Sequence, residues 1–176
     1  PEKAYKKGVE AINQKKPEKA YKYFLLATKK APDNATYHWA AAQTAQNQNA
    51  AFIHTELAWK SGLKTVPVMV SLMRLSLFTE KGQRITKMLS LYSELPDTIK
   101  TPMLKAELFS QLGIPDSALA IWKKMYSSKP TQVLAFRIGR ELNQLNKLEE
   151  ARDFLEKARK AKQLDGAGYV LLASLR

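Results

Sequence analysis

Lys19–Asn34, KAYKYFLLATKKAPDN, is the stretch that decides the fold. Ala20, Phe24 and Ala27 recur there at helical spacing. Pro32 then closes the segment, because proline lacks a backbone donor and clashes with the carbonyl one turn back. The skeleton returns as Ala118, Trp122, Met125 and Pro130, and again as Ala151, Leu155 and Ala158 without the proline. The first two copies are separated by nearly three units of about 34 residues, and self-similarity at that period signals a stack of helical hairpins.

Outward from that stretch, the chain divides into units of approximately 1–34, 35–67, 68–98, 99–131 and 132–165, with a partial unit at 166–176. The first hairpin turns at Lys15, Lys16 and Pro17, and proline suits the first turn of the helix that follows. In the second unit Ala41, Ala42 and Ala45 form a stripe. Trp59, Gly62 and Pro67 repeat the Phe24, Ala27, Pro32 spacing if one residue is inserted. The third unit is irregular. Its first helix is expected from Met73, with Leu77, Phe78 and Gly82 matching Leu108, Phe109 and Gly113. Its second is expected from Arg84 to Glu94, with Ile85, Met88, Leu89 and Tyr92 inward. Gly113 marks the turn of the fourth unit, and the fifth carries Gly139 where the first carries Gly8. The partial unit offers Tyr169, Leu172 and Ala173 to the fifth hairpin. The chain opens in register with the repeat, so it is expected to be an excerpt of a longer protein, with self-association through the uncovered face of its last helix.

Gly8, Ala42, Ala106, Gly139 and Ala173 form a column of small residues, interrupted by Leu75. A glycine inside a helix costs about 1 kcal/mol relative to alanine, so Gly8 and Gly139 imply a close helix crossing that returns the loss. A lone hairpin of this size buries too little apolar surface to fold, whereas a stack shares each face with its neighbour.

Gly8, Ala20, Phe24, Ala27 and Pro32, in that order, resemble the tetratricopeptide repeat, whose pattern is W-x2-L-G-x2-Y, then A-x3-F, then P. The first half is degenerate, with Ala4, Lys7 and Ala11 where Trp, Leu and Tyr are usual; the second half is close. The resemblance covers nearly the whole chain. It implies an all-α, right-handed α-α superhelix, a single solenoid of about five hairpins plus a half-repeat over 1–176. It also implies that first helices line a concave groove. The groove column is then Tyr5, Trp39, Leu72, Met103, Phe136 and Val170. Val9, Gln43, Ser76, Glu107 and Arg140 follow one turn on, and Asn13, Asn47, Glu80, Gln111 and Gln144 one turn further. Aromatic anchors beside side-chain amides suit a protein or peptide segment, since amides satisfy its backbone while rings bury its side chains. A column packed between adjacent helices is the alternative. The family's carboxylate clamp needs Lys and Asn at groove places where Tyr5, Val9, Trp39 and Gln43 stand, so that ligand is not expected.

The formal charge is +13, and residues 1–30 hold nine Lys against three Glu. Lys19, Lys22, Lys29, Lys30, Lys123, Lys124, Lys157, Arg159 and Lys160 fall on second helices, the expected outer wall. A solvated face is the ordinary meaning of such a pattern; docking on nucleic acid, polysaccharide or a membrane surface is the alternative function. No Gly-rich phosphate loop, catalytic triad order or metal-ligand spacing occurs, so neither catalysis nor a cofactor nor a metal is expected. His38 and His54 read as solitary residues on helix surfaces. With no Cys, disulfides and thiolate metal sites are excluded. No run of 18 apolar residues exists, which excludes a spanning helix.

Overall fold

The computed structural model describes residues 1–76 and 81–175, and every regular element among them is an α-helix. The chain forms two compact units, Pro1–Pro96 and Asp97–Arg176. The first contains α1 (Glu2–Asn13), α2 (Pro17–Lys30), α3 (Ala35–Thr44), α4 (Gln48–Lys60), α5 (Val66–Leu75) and α6 (Lys81–Ser93). The second contains α7 (Pro102–Gln111), α8 (Pro115–Ser128), α9 (Gln132–Gln144), α10 (Leu148–Lys160) and α11 (Gly166–Ser174). Within each unit every helix packs on the next one in sequence, and α11 packs on both α9 and α10. These are five hairpins and a single further helix, the helical-repeat fold that the spacing implies.

The ends of the helices explain their positions. Asn34, Thr101, Thr131 and Asp165 each cap the first helix of a repeat unit, accepting a bond from the backbone N–H three residues on. Such caps satisfy donors that have no partner within the helix. Five helices end with a left-handed residue: Lys15, Gly62, Gly113, Asn146 and Lys162. In each case the following N–H bonds back across the turn to the carbonyl five residues earlier, as Ile114 does to Phe109 at 2.9 Å. This is a Schellman closure, and glycine adopts it without a Cβ penalty. Gly62 (φ +99°) and Gly113 (φ +67°) meet that need.

The interior is a series of small-on-large crossings. A Cβ on Gly8 would stand 2.4 Å from the Phe24 ring, and one on Gly139 would stand 2.6 Å from Leu155. Ala42 and Ala106 are buried in the same column, and Ala20, Ala27, Ala118, Trp122, Ala151 and Ala158 fill the second-helix columns. Pro32 and Pro130 sit exposed in the connections. Ala173 departs from the column and is exposed, because α11 packs through Gly168, Leu172 and Leu175 instead; Tyr169 is exposed too.

The third hairpin differs from its sequence reading. Its first helix ends at Leu75 rather than beginning at Met73, and Pro67 stands in its first turn. On α6, Met88 and Leu91 are buried while Leu89 is exposed. The expected match of Leu77 and Phe78 to Leu108 and Phe109, and the groove position Glu80, lie outside the described residues.

Gly8→Ala is expected to destabilise the protein by about 1–3 kcal/mol, since the added methyl would overlap the buried Phe24 ring and one of the two must shift. Gly82→Ala, on α6 with open space where its Cβ would be, is expected to be neutral or to gain up to about 1 kcal/mol. Urea unfolding of the two variants checks this; a gain at both positions would remove the close crossing from the account.

Candidate recognition surface

Each first helix buries the face that meets its hairpin partner, as α1 does with Ala4, Gly8 and Ala11. The opposite face is what remains for a partner. In the first unit Val9, Asn13 and Gln43 are exposed there and Trp39 is half-buried. In the second unit Met103 is 51% exposed, Val133 54% and Val170 72%. Gln111 and Gln144 are exposed at the C-terminal ends of α7 and α9, and Phe136 is half-buried.

Three of the sequence-derived groove residues are placed otherwise. Leu72 is 2% exposed, a core residue of α5 that presents nothing to a partner, so it is withdrawn from the surface. Tyr5 is inserted between helices: its ring centroid lies 5.0 Å from Tyr37 and 5.5 Å from Phe24. It packs against the core formed by Ala11, Ala20, Phe24 and Ala41, which is the between-helix alternative realised. Asn47 spends its amide oxygen on the Ala50 N–H at 2.8 Å, capping α4.

Arg140 is tied into a polar cluster. Its Nη2 donates to Ser110 Oγ at 2.7 Å and to Glu141 Oε1 at 2.9 Å, and Ser110 Oγ donates to Glu141 Oε1 at 2.6 Å. Glu141 is wholly buried. Arg137 pairs with Glu107 at 3.0 Å, so α7 and α9 are joined by one ion pair and, through the Ser110 hydroxyl, by hydrogen bonds to Arg140 and Glu141. A buried carboxylate with a charged donor and a hydroxyl on one oxygen is costly to separate from them. Sequence reading misses Glu141; its place between Arg140 and the buried Leu142 is the available signal.

Trp59 is buried, and its indole N–H donates to Glu94 Oε2 at 2.8 Å. Lys64 bonds the same oxygen and lies 4.4 Å over the Trp59 ring. The Lys64 bond, followed by that from Trp59, holds the Glu94 carboxyl below its ordinary value.

The two histidines are not solitary. His38 is buried, and its Nδ1 stands 3.0 Å from His54 Nδ1. His38 Nε2 stands 2.7 Å from the Pro32 carbonyl oxygen, so Nε2 is its donor. His38 Nδ1 is then the acceptor and His54 Nδ1–H the donor, the one neutral arrangement that satisfies both contacts. The ring centroids are 5.3 Å apart, the Nδ1 separation plus the two ring radii. The rings therefore meet end to end in a linear bond. Burial, then the neighbouring His38, depresses the His54 pKa. The pair is separated by 16 residues, as are Gly8 and Phe24, and Gly139 and Leu155.

Among the described residues no group of three or more His, Cys, Asp or Glu is placed to hold a metal ion, and no helix is long and apolar enough to cross a membrane. The sequence matches no protein-family model and no curated protein. Among solved structures, the chain is similar to the crystal structure of the MamA protein. That similarity covers 89% of this chain and 88% of that one, at 15% identity and a TM-score of 0.58. It also aligns with TTC0263, a thermophilic TPR protein of Thermus thermophilus, over 99% of this chain and 97% of that one, at 18% identity and a TM-score of 0.48. The likeness to MamA at this identity is one of fold.

The His38–His54 bond makes stability pH-dependent. Because the folded state depresses the His54 pKa, the unfolded chain takes up the proton first. Stability from this site is complete above the ordinary histidine value near 6.5 and is lost as pH falls below it. The melting temperature is expected to drop between pH 7.5 and 5.5, and less steeply in His54→Gln, as thermal denaturation followed by circular dichroism reports. Identical slopes would remove the pair as the titrating site.

Proposed function

We propose that this chain is a non-catalytic scaffold that holds an extended or helical protein segment against the first-helix faces of its hairpins. The observation that carries this reading is the pairing of exposed apolar side chains with exposed side-chain amides on those faces. In the first unit Val9 and Trp39 stand with Asn13 and Gln43. In the second, α7 carries Met103 and, two turns on, Gln111, while α9 carries Val133 and Phe136 with Gln144 at its end, and Arg140 between them is held by Glu141. Rings and aliphatic side chains take up a partner's apolar groups, and amides answer its backbone donors and acceptors. The helical-repeat fold supports the reading because neighbouring hairpins repeat the same face at regular intervals.

The reading is tested with peptides selected from a random library on the immobilised protein. Trp39→Ala, or Met103→Ala with Phe136→Ala, is expected to weaken the selected peptides by about tenfold or more, since large apolar anchors dominate such contacts. Selected peptides that ignore these substitutions but lose binding on Lys123→Glu with Lys157→Glu would reverse the assignment to the first-helix faces.

A further inference from the structure

We propose that the outer face of α2 is a second interaction surface, fitted to an acidic protein segment that carries a large apolar side chain between its carboxylates. The face follows from the helix's own division. Ala20, Phe24, Ala27 and Thr28 are buried in the hairpin, which leaves Lys19, Lys22, Leu26, Lys29 and Lys30 exposed along the other side. None of the four lysines has an ion-pair partner among the described residues. Glu18, at the start of the helix, is the one carboxylate that α2 carries.

Leu26 is 43% exposed midway along this basic stripe. It belongs to an open cleft of about 390 Å³ lined by Lys22, Tyr23, Leu25, Leu26 and Lys29. Lys7 of α1 extends the positive rim, its ammonium 5.8 Å from the Tyr23 ring centroid. The cleft thus has an apolar floor with a lysine at each end, about two helical turns apart. A matching segment places an apolar side chain on the floor and a carboxylate about one turn to either side.

Other anionic partners fit less well. The lysines are point charges without the planar fork that grips phosphate in two places, and no arginine occurs before Arg74. The aromatic ring on the cleft, Tyr23, is half-buried with the Lys7 ammonium beside it, which leaves little of its face to stack a base. The helix's main apolar face is already used inside the hairpin, so a bilayer would find Leu26 alone to take up. Charge complementarity around an apolar seat favours a protein segment.

The test uses the whole chain and a fluorescein-labelled helical peptide in which leucine is flanked by glutamates three and four residues away. A control peptide carries serine in place of leucine. Anisotropy titration is expected to show binding that weakens by about tenfold or more in Lys22→Glu with Lys29→Glu, and in the serine peptide, and that falls with added salt. Trp39→Ala is expected to leave it unchanged, which separates this surface from the first-helix faces. Lys22 and Lys29 are exposed and Trp39 is half-buried, so circular dichroism is used to check that each variant keeps its helix content before its binding is compared. Equal binding of the serine peptide would reduce the effect to bulk charge and overturn the proposal. So would insensitivity to the lysine substitutions, or a loss of binding in Trp39→Ala. Capture of phosphatidylserine vesicles or of oligothymidylate without capture of the leucine peptide would assign the face to lipid or nucleic acid instead.

Discussion

The close approach of two antiparallel helices, a small residue on one against a large one sixteen positions later on the other, is the constraint on which the first, fourth and fifth hairpins are built. Gly8 against Phe24 and Gly139 against Leu155 show it most directly, because neither glycine has room for a Cβ. Helix propensity argues against glycine at both places by about 1 kcal/mol, so packing outweighs it. Once the crossing is fixed, the helix phase follows. Ala20 and Ala151 turn inward, the lysines of α2 turn out, and the remaining face of each first helix is the one we propose for recognition.

That constraint explains why so much of the fold is legible in the sequence. Small residues at Gly8, Ala42, Ala106 and Gly139, followed by Phe24, Trp122 and Leu155, are a pattern with a mechanical cause, and it locates helices without a structure. Gly62 and Gly113 likewise announce their turns. Asn146 is a weaker signal, since asparagine tolerates the left-handed region, while Lys15 and Lys162 give none, because lysine usually avoids the backbone that the Schellman closure imposes. Analogy with the fourth hairpin places the third too late. The apolar residues from Val66 to Leu75 support a helix in more than one register, and the start at Val66 is set by packing as much as by sequence.

The candidate site is less legible for a different reason. Spacing tells which side of a helix a residue occupies but not how near the next helix comes. Tyr5 and Leu72 share the column of Trp39 and Met103, yet one is wedged between Phe24 and Tyr37 and the other is buried outright. Asn47 has the spacing of a groove amide and is a helix cap. His38 and His54 look like bland surface residues because no carboxylate accompanies them. Their partner is each other, at the same interval that joins Gly8 to Phe24. Polar groups inside the stack, the His38–His54 bond and the Ser110–Arg140–Glu141 cluster among them, fix how neighbouring helices meet where apolar packing alone tolerates sliding.

The crossing is tested most directly by a double-mutant cycle at Gly139 and Leu155, measured by chemical unfolding of the full chain. Gly139→Ala introduces a methyl where Leu155 stands, and Leu155→Ala clears that space at its own cost of about 2–5 kcal/mol. If the two side chains compete for one volume, the double variant is less destabilised than the two single losses together by at least about 1 kcal/mol. Strict additivity would contradict the account, since it would mean that the two positions do not share the space on which the hairpin is built.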